Sequence, residues 1–178
     1  MNTKKTLTIG IPVYNEAQNI EMLLKSIFKQ RCISYKLQRI LIISDGSYDQ
    51  TVDIVKIWQR RHPEISIKVY SKRLGKAVRL NEIYEANKSD YLFTLDGDVV
   101  LGTSMEIEKV LAKTEKNNAK VVAAHQIPCK VHGFMQRISY ANHCLWTEVR
   151  TSINGGDYIE NLQGSATLIS REFAKQVH

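Results

Sequence analysis

Nothing in this chain approaches the eighteen or so consecutive apolar residues that a membrane-crossing helix requires, so no segment of it reads as a span. Cysteine is scarce. Cys32, Cys129 and Cys144 are odd in number and unmatched in spacing, which suits a reducing compartment better than a disulfide framework. His125, Cys129 and His132 could join His143 or Cys144 around zinc, but Pro128 interrupts them and no paired C-x-x-C supports them, so structural zinc is not expected. The first crossover lacks G-x-G-x-x-G, which argues against an ordinary dinucleotide site. Gly75-Lys76 has no glycine at the P-loop spacing before it and Ala77 after it, so it is not a Walker A loop. The amino terminus runs straight from Lys4 and Lys5 into a strand-like segment without a small-residue cleavage pattern, and no export signal is expected. Repeats, low-complexity tracts and linkers are missing too.

What remains describes one α/β domain. The 178 residues suffice for one substantial core and fall short of two, and 43% hydrophobic with 24% charged residues is ordinary globular composition. A net charge of +7 suits polyanionic partners. Its lysines and arginines are spread along the chain rather than blocked together with aromatics, so nucleic acid is not an expected partner, while a lipid surface stays open.

Strand-like and helix-like patterns alternate, as in a mostly parallel sheet flanked by helices. Strands are expected at residues 7–13, 39–43, 65–70, 91–95, 119–124 and 165–169. Asn15 reads as an N-cap with Gln18 three residues on, before a helix burying Ile20, Leu23, Leu24, Ile27 and Phe28. Thr51, Ile54, Val55 and Trp58 stripe a second helix. Gly75 opens a third, with Ala77, Leu80, Ile83 and Tyr84 facing inward. Ile107, Val110 and Leu111 belong to a fourth over residues 104–117. Phe134, Ile138, Ala141, Leu145 and Val149 give a longer helix a face expected in the core, with Tyr140 and Trp146 on another face. Asn154-Gly-Gly-Asp157 breaks it, and Phe173 with Val177 starts a last helix.

The chemistry gathers where the strands end. Asp96-Gly97-Asp98 directly follows the apolar run Tyr91–Leu95, so two carboxylates leave the carboxyl end of a buried strand, where open α/β sheets bind ligands. At about 6 Å and an effective dielectric of about 20 such a pair repels by roughly 3 kcal/mol, a cost that a divalent cation removes. With right-handed crossovers, Pro12–Glu16, Asp45–Asp49, Leu74–Asn81 and Asp96–Asp98 converge on one edge. They supply acceptors for a base or ribose, a lysine for phosphate, and hard oxygen ligands for Mg²⁺ or Mn²⁺. An alternative is a phosphatase of the haloacid-dehalogenase type, with Asp96 attacking phosphate beside Asp98, although that motif usually follows a first strand. A noncatalytic nucleotide-binding module is the other alternative.

Taken in order, Ile11-Pro-Val-Tyr-Asn-Glu16, Ser44-Asp-Gly-Ser-Tyr-Asp49, Leu74-Gly-Lys-Ala-Val-Arg-Leu-Asn81 and Asp96-Gly-Asp98 resemble the motifs of family 2 glycosyltransferases with the GT-A fold, over essentially the whole chain. The resemblance implies a metal-dependent transfer of sugar from a nucleotide-diphosphate donor, a UDP-sugar first, to a carbohydrate or lipid-linked acceptor, with inversion. It also implies a part in cell-envelope polysaccharide synthesis and a cytoplasmic place that includes the inner face of the membrane. By that likeness Pro12, Tyr14 and Glu16 line the base and ribose, and Asp45 reads the nucleobase. Gly75 and Lys76 meet the diphosphate, Asp96 contacts ribose or metal-bound water, Gly97 belongs to the nucleotide-sugar site, and Asp98 with Asp96 ligates the metal. Residues 1–100 would be the nucleotide-binding half and residues 101–178 the start of an acceptor half, incomplete at its carboxyl end. Gly164-Ser-Ala-Thr-Leu-Ile-Ser-Arg171 resembles the segment nearing donor sugar and acceptor. The chain departs from the pattern in two places. Ser44 stands where an aspartate is common, and the acidic motif that supplies the base follows the Gly164 segment in the family, which puts the base beyond His178; Asp157 and Glu160 precede it and are not assigned.

Overall fold

The structure is a computed structural model that describes residues 4–124, 127, 133–152 and 164–176. Along the chain run β1 (Lys5–Val13), α1 (Ile20–Phe28), β2 (Tyr35–Asp45), α2 (Thr51–Arg61), β3 (Ile65–Tyr70), α3 (Lys76–Ala86), β4 (Tyr91–Leu95), α4 (Glu106–Lys116), β5 (Val121–Ala123), α5 (Phe134–Ser152), β6 (Ala166–Ser170) and α6 (Arg171–Ala174). The strands form one sheet in the order β3-β2-β1-β4-β6-β5. β1 pairs in parallel with both β2 and β4, and β2 with β3, whereas β6 runs antiparallel to β4 and β5.

Central parallel strands are covered on both faces and so read as continuous apolar runs. Every residue of β1 from Leu7 to Val13 is buried, as is β2 from Ile40 to Asp45. Side chains alternate between faces. Ile40 and Ile42 accordingly join α1, α2 and α4 residues in the larger core, while Leu41 and Ile43 pack with Ile83 of α3 on the opposite face. Gly10 permits that second layer: a Cβ there would lie 2.3 Å from Cγ2 of Ile83, so only a glycine lets α3 lie this close on β1.

The order of strands positions the site. From β1 the chain moves outward through β2 to β3, then returns to lay β4 on the other side of β1. The direction of winding reverses between β1 and β4, and a crevice opens at their carboxyl ends. Pairing of β1 with β4 stops at Gly10, whereas pairing with β2 continues to Val13. Pro12, which has no N–H to give a ladder, therefore sits past the last rung on the β4 side.

Four expectations need correction. Asn15 does not cap α1, which begins at Ile20; it adopts a φ of 56°, a left-handed conformation that asparagine tolerates, and its side chain serves the next turn instead. Ala77 is exposed, and Arg79 takes the inward position beside Ile83. α6 is a single turn ending at Ala174, short of the residue expected to extend it. The α5 stripe is not core: Ile138, Leu145 and Val149 are 50%, 60% and 41% exposed, and Ala141 is exposed too. Periodicity identifies the apolar face of a helix but not whether anything covers it, and neither buried core includes a described α5 residue. Phe134's side chain, the break at Asn154–Asp157, Val177 and the zinc candidates His125, Cys129 and His132 lie outside the described residues.

Candidate active site

The turn after β1 is held by the turn after β2. Asn15 N–H donates to Ser47 Oγ (3.2 Å), Glu16 N–H to Thr51 Oγ1 (2.7 Å) and Ala17 N–H to Asp49 Oδ2 (3.0 Å), while Asn15 Oδ1 accepts from Tyr48 N–H (3.0 Å). Thr51 passes its own hydroxyl proton toward Asp49 Oδ1. Burial raises the Asp49 carboxyl, but the hydroxyl and N–H of Thr51 and the N–H of Ala17 outweigh it and hold the group below its ordinary value. Three consecutive backbone donors that no helix could satisfy are thereby paired. Glu16 is fixed at the crevice.

Gly97 shows how close that approach is. A Cβ on Gly97 would stand 2.6 Å from Cγ of Glu16, so the first turn and the end of β4 touch through a glycine. Asp96 and Asp98 flank it. Asp96 is half-buried, its N–H donating to the carbonyl of Ser165 (2.8 Å), and Asp98 is exposed. Lys76, the first residue of α3, reaches across to place Nζ 2.6 Å and 2.8 Å from the two Asp96 oxygens. The family-like Gly164 segment thus meets the acidic pair through Ser165, and Lys76 meets it through a charge pair.

Asp45 is buried at the end of β2 and carries more bonds than sequence reasoning allowed. Oδ1 accepts from Leu74 N–H (2.9 Å) and Arg79 Nε (2.7 Å), and Oδ2 from Gly75 N–H (2.7 Å). A carboxylate offers about four acceptor positions, so three donors leave about one. Burial pushes this carboxyl up, yet the two N–H groups and the guanidinium prevail and lower it. Arg79, only 2% exposed, also donates to Glu82 Oε1 and to the Lys72 carbonyl (3.1 Å), and its guanidinium carbon lies 3.8 Å from the Tyr70 ring centroid. Tyr70 closes the network by donating to Glu82 Oε2. Burial lowers the arginine's proton affinity, but Glu82 and Asp45 raise it beyond its ordinary value. A buried charge persists only with partners of this quality.

The structure thus joins Glu16 to Gly97, Lys76 to Asp96 and Gly75 to Asp45, and places Pro12 and Tyr14 at the end of β1 and its turn and Asp98 after β4, at the same carboxyl edge. Sequence reasoning missed Arg79, Thr51 and Glu82. A basic residue four before Ile83 in the apolar stripe of α3 was the available signal for Arg79. Arg73 was also missed, its guanidinium carbon 3.9 Å from the Tyr14 ring centroid.

The donor set fits a hard divalent cation. Mg²⁺ or Mn²⁺ takes one or two carboxylates and completes its shell with water and phosphate, and Asp96 and Asp98 are two carboxylates at a solvent-facing edge. Among the described residues no group of three or more His, Cys, Asp or Glu could hold a metal, so a closed all-protein cage is not offered there. Among those residues, too, no helix is long and apolar enough to cross a membrane.

The family model described as Glycosyl transferase family 2 matches residues 8–177. The chain is 27% identical over 169 residues to a poly-beta-1,6-N-acetyl-D-glucosamine synthase of Staphylococcus epidermidis, covering 92% of this chain but 39% of that protein. It therefore spans well under half the length of this curated relative. A glycosyltransferase of Escherichia coli, YibD, is 28% identical over 98 residues, 55% of this chain and 27% of that one. Among solved structures, the mannosyltransferase PcManGT from Pyrobaculum calidifontis, in complex with GDP-Man and Mn²⁺, superposes with a TM-score of 0.79 at 19% identity, covering 99% of this chain and 47% of its own. S. aureus TarS in complex with UDP-GlcNAc gives 0.62 at 18% identity, over 72% of this chain and 36% of its own. These likenesses show the GT-A fold that the ordered motifs implied.

Proposed function

This chain belongs to glycosyl transferase family 2, and from that premise we propose that it is the donor-binding part of an enzyme moving sugar from a nucleoside diphosphate, a UDP-sugar first, to an acceptor hydroxyl. The observation that carries the reading is the crevice between β1 and β4, where Glu16 meets Gly97 and Lys76 pairs with Asp96. Residues 1–100 form the nucleotide-binding half in this reading, and residues 101–178 begin the acceptor half.

Each residue then has a task. Pro12 and Tyr14 flank the base and ribose, and Glu16 stands beside them at the crevice. The remaining acceptor position of Asp45 takes an N–H from the base edge. Gly75 leaves the start of α3 open, with no atom other than its own and its chain neighbours' within 4 Å of where its Cβ would be, so a diphosphate can approach the helix amino terminus, where N–H groups favour anions. Lys76 exchanges its carboxylate partner for the diphosphate. A divalent cation held by Asp98 with Asp96 would screen the charge that develops on the leaving diphosphate. Gly97, by carrying no side chain, lets Glu16 close onto the end of β4 beside the donor. A single displacement by the acceptor hydroxyl inverts the anomeric carbon, with a carboxylate taking the proton; no residue of this chain is assigned as that base.

UDP is placed before GDP because the relative matched over 92% of this chain is a poly-beta-1,6-N-acetyl-D-glucosamine synthase; the solved structures include both a GDP-Man and a UDP-GlcNAc complex and do not choose between them. The acceptor is a carbohydrate or lipid-linked chain, as suits cell-envelope polysaccharide. The exposed Tyr140 and Trp146 of α5 face that acceptor or the inner surface of the membrane.

Calorimetry with UDP tests the proposal. Binding is expected with Mn²⁺ or Mg²⁺ present, to vanish with chelator, and to weaken at least tenfold in Asp98→Ala. Binding indifferent to both would reject the assigned site. Mg²⁺-dependent hydrolysis of a small phosphate ester, lost in Asp96→Asn, would instead establish the phosphatase.

A further inference from the structure

Gly46 has a φ of +79°, and a Cβ there would lie 3.0 Å from the Arg73 nitrogen and 3.3 Å from the Lys72 carbonyl carbon. The backbone between β3 and α3 therefore rests directly on the turn after β2. On one side of Arg73, the Lys72 carbonyl accepts from Arg79 Nη2; on the other, the Leu74 N–H donates to Asp45. Arg73 is thus bracketed by anchors belonging to one buried ion pair, Asp45–Arg79. Its side chain is exposed, yet its guanidinium carbon stands 3.9 Å from the Tyr14 ring centroid. Tyr48, 83% exposed, completes the group edge-on to Tyr14 at 6.1 Å between centroids.

A fixed backbone that presents an exposed planar cation is more than a surface arginine requires. Guanidinium planes stack on aromatic faces, nucleobases included, in a way that the compact ammonium of lysine cannot. Here the guanidinium carbon already lies 3.9 Å over the ring of a tyrosine assigned to the base, and the next residue's N–H is bonded to a carboxylate with about one acceptor position left for a base N–H. We propose that Arg73 is a nucleobase-binding residue, which closes over the face of the base opposite Tyr14. The base takes the Tyr14 face, the guanidinium lifts by one stacking thickness of about 3.5–4 Å, and Tyr14, base and Arg73 form a sandwich with Asp45 at its edge. The inference rests on the donor reading above and adds a specific determinant to it.

The test titrates the intact chain and its Arg73→Met and Arg73→Lys variants with UDP and, separately, with inorganic pyrophosphate, at saturating Mn²⁺. Arg73→Met is expected to weaken UDP about five- to tenfold, and Arg73→Lys to weaken it by a similar factor, because charge without a plane does not stack. Pyrophosphate affinity stays within about twofold in both. Full UDP affinity in Arg73→Lys, an equal loss with pyrophosphate, or no loss in Arg73→Met would each overturn the assignment and leave the donor site standing. Failure of the unsubstituted chain to bind UDP would overturn the donor reading and this inference together.

Discussion

Replacing Asp45 by asparagine keeps the side chain's shape and removes one charge from the most deeply buried ion pair among the described residues. In the native chain the carboxylate accepts from Leu74 N–H, Gly75 N–H and Arg79 Nε at 2.9, 2.7 and 2.7 Å. An amide has one accepting oxygen, so its NH₂ must face at least one of these donors. Breaking one partner of a buried pair costs about 3–5 kcal/mol. Arg79 keeps Glu82, the Lys72 carbonyl and the Tyr70 face, which puts the expected loss near the lower bound, about 3 kcal/mol. With a urea dependence of about 2 kcal/mol per molar, the unfolding midpoint should fall by about 1.5 M at pH 7. The pH dependence gives a second check. The folded-state pKa of Asp45 is depressed, so its stabilisation is complete above the unfolded value of about 3.9 and is lost as pH falls through the folded value. Asp49 and Glu82 titrate in the same sense in both proteins, so both weaken in acid while their midpoints converge below about pH 4. A drop under about 0.5 M, the scale of an exposed ion pair, or a gap that persists unchanged into acid would refute the reasoning.

Two glycines separate packing from binding. Gly10→Ala sets a methyl against Ile83 in the core and should cost about 1–3 kcal/mol in a denaturant titration while leaving UDP affinity within twofold. Gly97→Ala sets its methyl against Glu16 at the crevice; it should weaken UDP binding at least fivefold by calorimetry, and unchanged affinity would remove that contact from the site. Leu145→Ala probes α5: at 60% exposure it should cost no more than about 0.5 kcal/mol, whereas a loss of about 2–5 kcal/mol would mean that the leucine is core after all.

Much of this arrangement was readable beforehand, for physical reasons that also mark where reading stops. Continuous apolar runs such as Ile40–Ile43 announce strands buried on both faces, and polar motifs directly behind them announce the ligand edge. The paired contacts hidden inside those motifs were not readable. Asp49 looks like a turn residue, yet it holds Ala17 across two loops, and nothing local specifies that partner. Arg79 looks like a surface residue of α3 because charge is usually solvated; its burial depends on Asp45 and Glu82, which lie at long and short range at once. Asn15 followed by Gln18 satisfies a capping pattern, but the positive φ needed to reach Tyr48 won over it. The stripe of α5 has correct periodicity and no described cover, a distinction that depends on tertiary neighbours rather than on spacing.

The most direct measurement is anomalous diffraction from crystals soaked with Mn²⁺ and UDP. A manganese peak about 2.0–2.3 Å from Asp98 oxygen, with the diphosphate beside it and the Lys76 ammonium moved from Asp96 onto phosphate, is the predicted result. Manganese and nucleotide bound away from the β1–β4 crevice, with Lys76 still paired to Asp96, would contradict it.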